Sequence, residues 1–511
     1  MNGRRLALGA APVPGLVLLF LVYLRQSRTV VVGSDGGTIA LQAWNMMHGN
    51  LLLHGWITAD VSFYTTELPE YVLVERLHGL DPDVMHIAGA LTYTILVLLA
   101  AVVAKGRAGG REAAVRMLIA AGIMLAPAPG FGTSTLLLSP DHFGSAVPVL
   151  LAWLIVDQCP PRWYVPIAVC VILAWGLVAD PLVEVTGVAP MVVVCGVRAA
   201  QHARRREPWS LEVWLALAAV AAIGLAAAAS MLIRAAGGFE TSPVQTGFAG
   251  VAALGHNAFL AGQGLLLLFG ASFYRGQPVN LLFSALHLVS VGMVAVALGI
   301  AVWRFFRRDD LLVPALAVAI GLNVGLYIAG RYAVDPLSTR EISAVLPFGA
   351  ALAGQVLAGP LRRVRLVPVL AVALAGYALT LGLYASQPAV PTTHQDLADW
   401  LVAHHLRSGL ATTYWLASIT TVDSGGRARV LQVSAAGTAV TRPSQWETDS
   451  QWYRSASNTA DFLVTDAAPG SAAWRSAVSA ARASFGPPVS IRRYRLYTVI
   501  IWHQNVLAFL H

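Results

Sequence analysis

The sequence predicts an α-helical polytopic membrane protein of about eleven transmembrane helices, with a small extracytoplasmic α/β domain at its C-terminal end. Three observations predict it. Of 511 residues, 57% are hydrophobic and only 12% charged, too little charge to cover a water-soluble chain of this length. Apolar runs close to the ~20 residues that cross a bilayer recur through the first three quarters of the chain. The basic residues between these runs fall on alternate loops, as the positive-inside rule requires.

The runs lie at roughly 12–32, 84–104, 113–129, 141–157, 163–180, 182–200, 211–232, 279–303, 311–330, 343–359 and 366–386. A further stretch, 256–272, is Gly-rich and flanked by polar residues. It reads as re-entrant, because a twelfth crossing would break the charge pattern. Arg4 and Arg5 precede the first run with no small-residue cleavage site after it, which predicts a retained signal anchor with a cytoplasmic N-terminus. Lys105, Arg107, Arg111, Arg162, Arg198, Arg204–Arg206, Arg304, Arg307, Arg308, Arg362, Arg363 and Arg365 then share the cytoplasmic face of a plasma membrane. The net charge of +8 is accounted for by this topology, so no nucleic-acid partner is expected. Lys105 is the only lysine, a bias of GC-rich genomes such as the actinobacterial. Cys159, Cys170 and Cys195 sit in or beside apolar spans and form neither a disulfide framework nor a cysteine metal site.

Two units are expected: a membrane module over 1–386 with its first external loop at 33–83, and an extracytoplasmic domain over 387–511. The proline-marked stretch Gln387–Pro391 joins them. In the tail, Asp396–His405 has helical periodicity. Ala411–Thr421 and Arg427–Val433 read as strands joined by a hairpin at Ser424-Gly-Gly426. Phe462–Val464 and Tyr494–Trp502 read as further strands, with a helix near Ala472–Arg482.

The outer face receives Asp35, Asp60, Glu67, Glu70, Asp180, Glu184, Glu240, Asp335 and Glu341, with His54, His142, His256, Arg331 and Arg340. Asp35 stands in Val31-Val-Gly-Ser-Asp-Gly-Gly-Thr38, where the first helix leaves the bilayer. A carboxylate at the rim of a low-dielectric region suits a general base towards a hydroxyl. Its competing reading is a helix N-cap for Thr38–His48. Ile39–His48 and Pro69–Leu80 read as interfacial helices, with Trp44 as an anchor. Arg331 and Arg340 can grip a phosphate, and the competing reading pairs Arg340 with Asp335 or Glu341. His142 beside Asp141 is a donor candidate or an interfacial cap. Asp180 and Glu184 flank Pro181 and read first as a span junction. Trp446, Trp452 and Tyr453 could meet a sugar, but core packing is the plainer reading. No P-loop or GxGxxG motif points to a nucleotide donor.

An acid directly after the first span, a long first external loop with interfacial helices, about eleven spans and an external C-terminal domain together resemble the C-type (GT-C) membrane glycosyltransferases. The resemblance implies an inverting glycosyltransferase that moves a hexosyl or pentosyl group on the outer face, in cell-envelope assembly. It implies a polyprenyl-phosphate sugar donor, a glycan, lipid or protein acceptor, and Asp35 as the catalytic aspartate. The substrate-binding residues expected around it are Glu67, Glu70, His54, Asp60, His142, Arg331, Arg340 and Glu341. Many members carry two acids in the first motif, whereas here Asp35 lies between Ser34 and Gly36. No cofactor is therefore predicted. A divalent metal, completed by Asp60, Glu67 or Glu70, is the alternative. The rival functions are a lipid or small-solute transporter or flippase, which would show repeats and midplane charge, and a non-catalytic scaffold of the same architecture.

Overall fold

The computed structural model describes residues 13–204, 211–243, 247–273, 278–305, 310–436, 439–442 and 446–510. Arg4, Arg5, Arg205, Arg206, Arg307 and Arg308 lie outside the described residues. The chain is mostly helical, with a small sheet region at its C-terminal end. By length and composition, six described helices can cross a membrane, or up to eight if each of two bent pairs is one span. That is fewer than the eleven expected. Runs predicted at 12–32, 113–129, 163–180 and 182–200 fold as the shorter helices Val13–Ser27, Gly110–Ile123, Tyr164–Ala179 and Ala189–Arg204. Val251–Leu268, expected in part to be re-entrant, is one continuous helix of 18 residues and passes the same criterion.

The first helix, α1 (Val13–Ser27), leads through a short turn to α2 (Ser34–Met47). A helix over Glu67–His78 (α3) precedes the long α4 (Asp83–Lys105). Both α2 and α3 match the expected interfacial helices to within a few residues. At 23 residues, α4 is about 33 Å long and fixes two ends of the bundle. Its start meets α1 through Arg28, whose guanidinium donates to both oxygens of Asp83 at 2.7 and 2.5 Å. The basic residues gather at its other end. There Arg107 donates to the Asp157 carbonyl at 2.6 Å, Arg116 to Gln355 at 2.7 Å, and Arg198 to the carbonyls of Phe305 and Asp310 at 3.3 Å.

Two bent pairs shape the Asp83 end. Phe131–Leu137 and His142–Gln158 meet at 47°, and Pro336–Ile342 and Val345–Arg363 at 52°. Pro140 in the first break and Pro336 at the head of the second pair remove backbone donors that a continuous helix would need. Asp141 and Asp335 then cap the restarted turns, accepting from the amides of His142 and of Leu337 and Ser338. Irregular backbone inside a bundle survives where it lines a cavity, and these two breaks face each other.

The tail differs from its predicted pattern. Ser408–Ala411 is a strand, but Tyr414–Asp423 is a helix, and Ser424-Gly425-Gly426 is the turn that ends it. The next strand, Arg429–Gln432, pairs parallel to Ser408–Ala411. The predicted hairpin is thus a strand–helix–strand crossover. Ile419, Thr420, Thr421 and Val422 favour a strand locally, but the helix buries all four against α2 and the sheet. The five-stranded sheet continues with Phe462–Thr465, Tyr497–Ile501 and Ser490–Tyr494, the last two antiparallel. Ala472–Phe485 packs on it.

A second sheet ties the tail to the membrane module. Trp56–Thr58 of the first loop pairs with Glu240–Thr241 on one edge and Thr448–Asp449 of the tail on the other. Beside it, α2 lies directly on the Tyr414–Asp423 helix. A Cβ on Gly37 would sit 3.1 Å from the Ile419 nitrogen, so the two backbones touch there. On the neighbouring side, a Cβ on Gly36 would meet the Ser139 carbonyl at 2.9 Å. Ser34 donates to the Tyr414 carbonyl at 2.8 Å and Thr38 to the Ser418 hydroxyl at 3.0 Å. The glycines after Asp35 therefore serve close helix approach.

Candidate active site

Asp35 lies in the first turn of α2, but it is not the cap: Gly33 holds that position with no side-chain cap bond. The carboxylate instead turns towards the tail. Tyr414 donates to Asp35 Oδ1 at 2.8 Å, and the same hydroxyl contacts the Glu447 carboxyl. Its ring lies against Trp446 at a tilt of 56°, with centroids 4.9 Å apart. On the other side, Arg340 Nη1 stands 3.8 Å from Asp35 Oδ2, with Asp35 35% and Arg340 50% exposed. Arg340 Nε is 3.7 Å from Glu341. Both contacts exceed hydrogen-bond length.

The line of charge continues through Glu341. Its Oε1 is 3.3 Å from His142 Nε2, and His142 Nδ1 is 3.0 Å from Asp180 Oδ2. With a carboxylate at each ring nitrogen, the imidazole donates on both sides. Asp180, read first as a span junction, also accepts from the Leu182 amide at 2.8 Å. It therefore does both jobs, structural and polar. A cavity of about 380 Å³ opens beside this line, with Asp60, His142, Asp180, Tyr327, Tyr332 and Glu341 in its wall. A second and larger cavity, about 760 Å³, runs along apolar residues on the far side of the Pro336–Ile342 turn. Val30, Val31, Phe131, Phe259, Leu267 and Thr339 belong to its wall. The turn carrying Arg340 thus lies between a cavity with the acids Asp60, Asp180, Glu184 and Glu341 in its wall and one whose wall carries no charged side chain.

The other expected residues are placed differently. Glu67 is 2% exposed, beneath Gly144, where a Cβ would fall 2.0 Å from its Oε1. Burial pushes its carboxyl up to about 8, against a bond from Thr66. Glu70 accepts from Thr92 at 2.5 Å, and burial raises it to about 7. Neither acid belongs to the cavity wall, so the expected grip of Glu67 and Glu70 on sugar hydroxyls has no support in their placement. His54 is exposed and bonds the Gly237 carbonyl at 2.6 Å, also outside the cavity. Arg331 donates to the Phe248 carbonyl at 3.2 Å, beside the cavity mouth at Gly247 and Phe248. Asn257, at the head of the stretch once read as re-entrant, is structural: it donates to the Ile328 and Gly330 carbonyls at 2.9 and 3.0 Å. Trp452 packs edge-on against Trp56 at 5.2 Å, and the buried Tyr453 donates to the Gln432 carbonyl at 2.6 Å.

Two residues of the site escaped sequence reasoning. Tyr414 sat in a stretch read as a strand. Glu447 had only its neighbour Trp446 to mark it. Burial first, and then the nearby Asp35 charge, raise the Glu447 carboxyl to about 8, against the opposite pull of Tyr414 and Arg340. Burial likewise holds the Tyr414 phenol well above its usual range. Among the described residues, no three His, Cys, Asp or Glu side chains converge as metal ligands.

No family model matches this chain, and no curated protein matches it. Among solved structures it is similar to the Archaeoglobus fulgidus oligosaccharyltransferase in complex with Zn and sulfate. The identity there is 14% over 88% of this chain and 67% of that one, with a TM-score of 0.48. It is also similar to ArnT from Cupriavidus metallidurans bound to undecaprenyl phosphate. That match has 13% identity over 97% of this chain and 98% of that one, with a TM-score of 0.42. What the site can do follows from its own residues.

Proposed function

We propose that this protein is an inverting glycosyltransferase of the C-type architecture, moving a sugar from a polyprenyl-phosphate donor to an acceptor hydroxyl on the extracytoplasmic face. One observation carries the reading. The Asp35 carboxylate of α2 stands beside Arg340 of the Pro336–Ile342 turn, and that turn lies between a cavity walled by several acids and a larger one without charged side chains. A prenyl chain needs the uncharged groove, its phosphate needs a cation beside it, and the sugar and acceptor need hydrogen-bonding groups such as the acids beyond.

The chemistry follows from that order. The acceptor oxygen attacks the anomeric carbon opposite the phosphate, and Asp35 takes its proton. The bond from that carbon to the phosphate oxygen breaks, and the electron pair leaves with the phosphate. Arg340 offers planar donors to the charge that builds there. Arg331, at the cavity mouth, is a second cation for the same anion. The His142 clamp between Asp180 and Glu341 fixes the cavity wall on three separate elements. Asp60, on that wall, is free to orient a sugar hydroxyl. The N-terminus lies in the cytoplasm in this reading, and the tail shares the outer face with the first loop.

Purified protein reconstituted with a radiolabelled polyprenyl-phosphate sugar tests this. Asp35→Asn should lower transfer by about 10² to 10⁴-fold, the usual loss for a general base. Undiminished transfer by Asp35→Asn would remove Asp35 from the chemistry.

A further inference from the structure

A phenol has one proton to give. Tyr414 lies within hydrogen-bond reach of two carboxyls, Asp35 and Glu447. If both were ionised, the hydroxyl could serve only one of them. Both contacts close at once when one acid carries a proton and donates it to the phenol oxygen. The two acids differ in the way that decides which. Glu447 is 8% exposed, whereas the Asp35 side chain is 35% exposed and has Arg340 beside it. The uncharged form therefore belongs to Glu447 and the ionised form to Asp35.

The backbone agrees. Glu447 has φ +48°, in the left-handed region that a non-glycine residue adopts only under constraint. The constraint is visible, since the next two residues pair with Ile57 and Trp56 of the first loop. That pairing sets the Glu447 side chain inward on the phenol. The groups facing Glu447 come from four elements: Asp35 on α2, Tyr414 on the tail helix, Arg340 on the Pro336–Ile342 turn, and Asp60 after the strand Trp56–Thr58.

We propose that Glu447 is a positioning residue for Asp35: in its uncharged form it donates to Tyr414, which donates in turn to Asp35 and holds that carboxylate aimed. Ionisation of Glu447 reverses this. The phenol proton then turns to the new carboxylate, and Asp35 loses its donor. A second negative charge also appears where a phosphate must approach. The site is switched on by a proton on Glu447 and switched off as pH rises through its titration. This rests on the glycosyl-transfer reading for its consequence, though not for the proton itself.

Two measurements test it on the full-length protein. In the first, kcat/KM for transfer is followed against pH. The parent should fall about tenfold per unit above the titration of Glu447, near pH 8. Glu447→Gln keeps a donor towards Tyr414 but cannot ionise. It should lose the alkaline fall and overtake the parent at high pH, a gain that damaged packing does not produce. Tyr414→Phe should have a neutral plateau lower by about tenfold or more, the worth of a hydrogen bond to a charged group, and a smaller alkaline fall than the parent, since only the charge on Glu447 still acts. An alkaline fall that survives in Glu447→Gln overturns the proposal.

The second measurement needs no substrate. Infrared difference spectra of parent minus Glu447→Gln, between about pH 6 and about pH 10, should show one protonated-carboxyl band that vanishes on titration. No such band at neutral pH overturns the proposal whether or not sugar is transferred. The band present without transfer leaves the proton where it is proposed and sinks the transferase reading instead.

Discussion

Glu67 shows how differently one residue type can behave a few ångströms apart. From the sequence it was a surface acid for a sugar. In the structure it is buried against Gly144, and its Oε1 has no hydrogen-bond partner among the described residues. Burial raises its folded pKa from the usual 4.5 to about 8. The folded state therefore binds the proton more tightly than the unfolded chain. Its contribution is fully present below pH 4.5 and is lost as pH rises through about 8. Glu67→Gln removes that dependence. The parent's apparent Tm in detergent should fall more steeply between about pH 5 and about pH 8 than the variant's. Parallel curves for the two would show that Glu67 is already ionised in the fold. Asp35, by contrast, was singled out from its place alone, at a helix exit among small residues. Its partners were not. The sequence carries no sign that a phenol 379 positions away will meet it.

Helix pairs carry the next level of the argument. The two glycines after Asp35 are contact surfaces. Gly37 is where α2 touches the backbone of the Tyr414–Asp423 helix, so Gly37→Val forces the helices apart. Overpacking of this kind costs about 1–3 kcal/mol. The variant should show a lower apparent Tm, and transfer should fall with it, because Tyr414 rides on the displaced helix. An unchanged Tm would mean that the crossing can relax at no cost. The elements themselves were readable where period and composition agreed, as in α2, α3 and α4. They were misread where tertiary burial overrode local preference. Tyr414–Asp423 reads as a strand by its β-branched residues and becomes a helix because it has two surfaces to bury. Several expected spans are short for the same kind of reason. A helix inside a bundle is defined by its neighbours, and hydropathy alone does not fix where it ends.

For the whole molecule, the layout of charge holds without reference to the number of crossings. The Thr38 and Ser418 hydroxyls are 3.0 Å apart, so the first loop and the tail share a face whatever lies between them. Thr38→Cys with Ser418→Cys, in a chain lacking Cys159, Cys170 and Cys195, should form a disulfide in intact cells, seen as a mobility shift reversed by reductant. No shift, with the two cysteines labelled from opposite sides, would break the shared face and the site with it. The alternation of basic loops predicted such a face; among the described residues, Arg107, Arg116 and Arg198 lie at the far end of α4. The meeting of the two broken helices at His142 and Glu341 had no counterpart in any local pattern. It depends on where the two breaks come to rest, a property of the folded bundle.

The pairing of Ser34 with the Tyr414 carbonyl spans 380 positions, which has a consequence for timing. At about 5–20 residues per second of synthesis, α2 emerges roughly 20–80 seconds before its partner helix is made. For that interval Asp35 stands without the Tyr414 hydroxyl and the Glu447 carboxyl that meet it in the fold. On the proposed mechanism, a chain stopped before Glu447 is made carries the acid without the group that governs it.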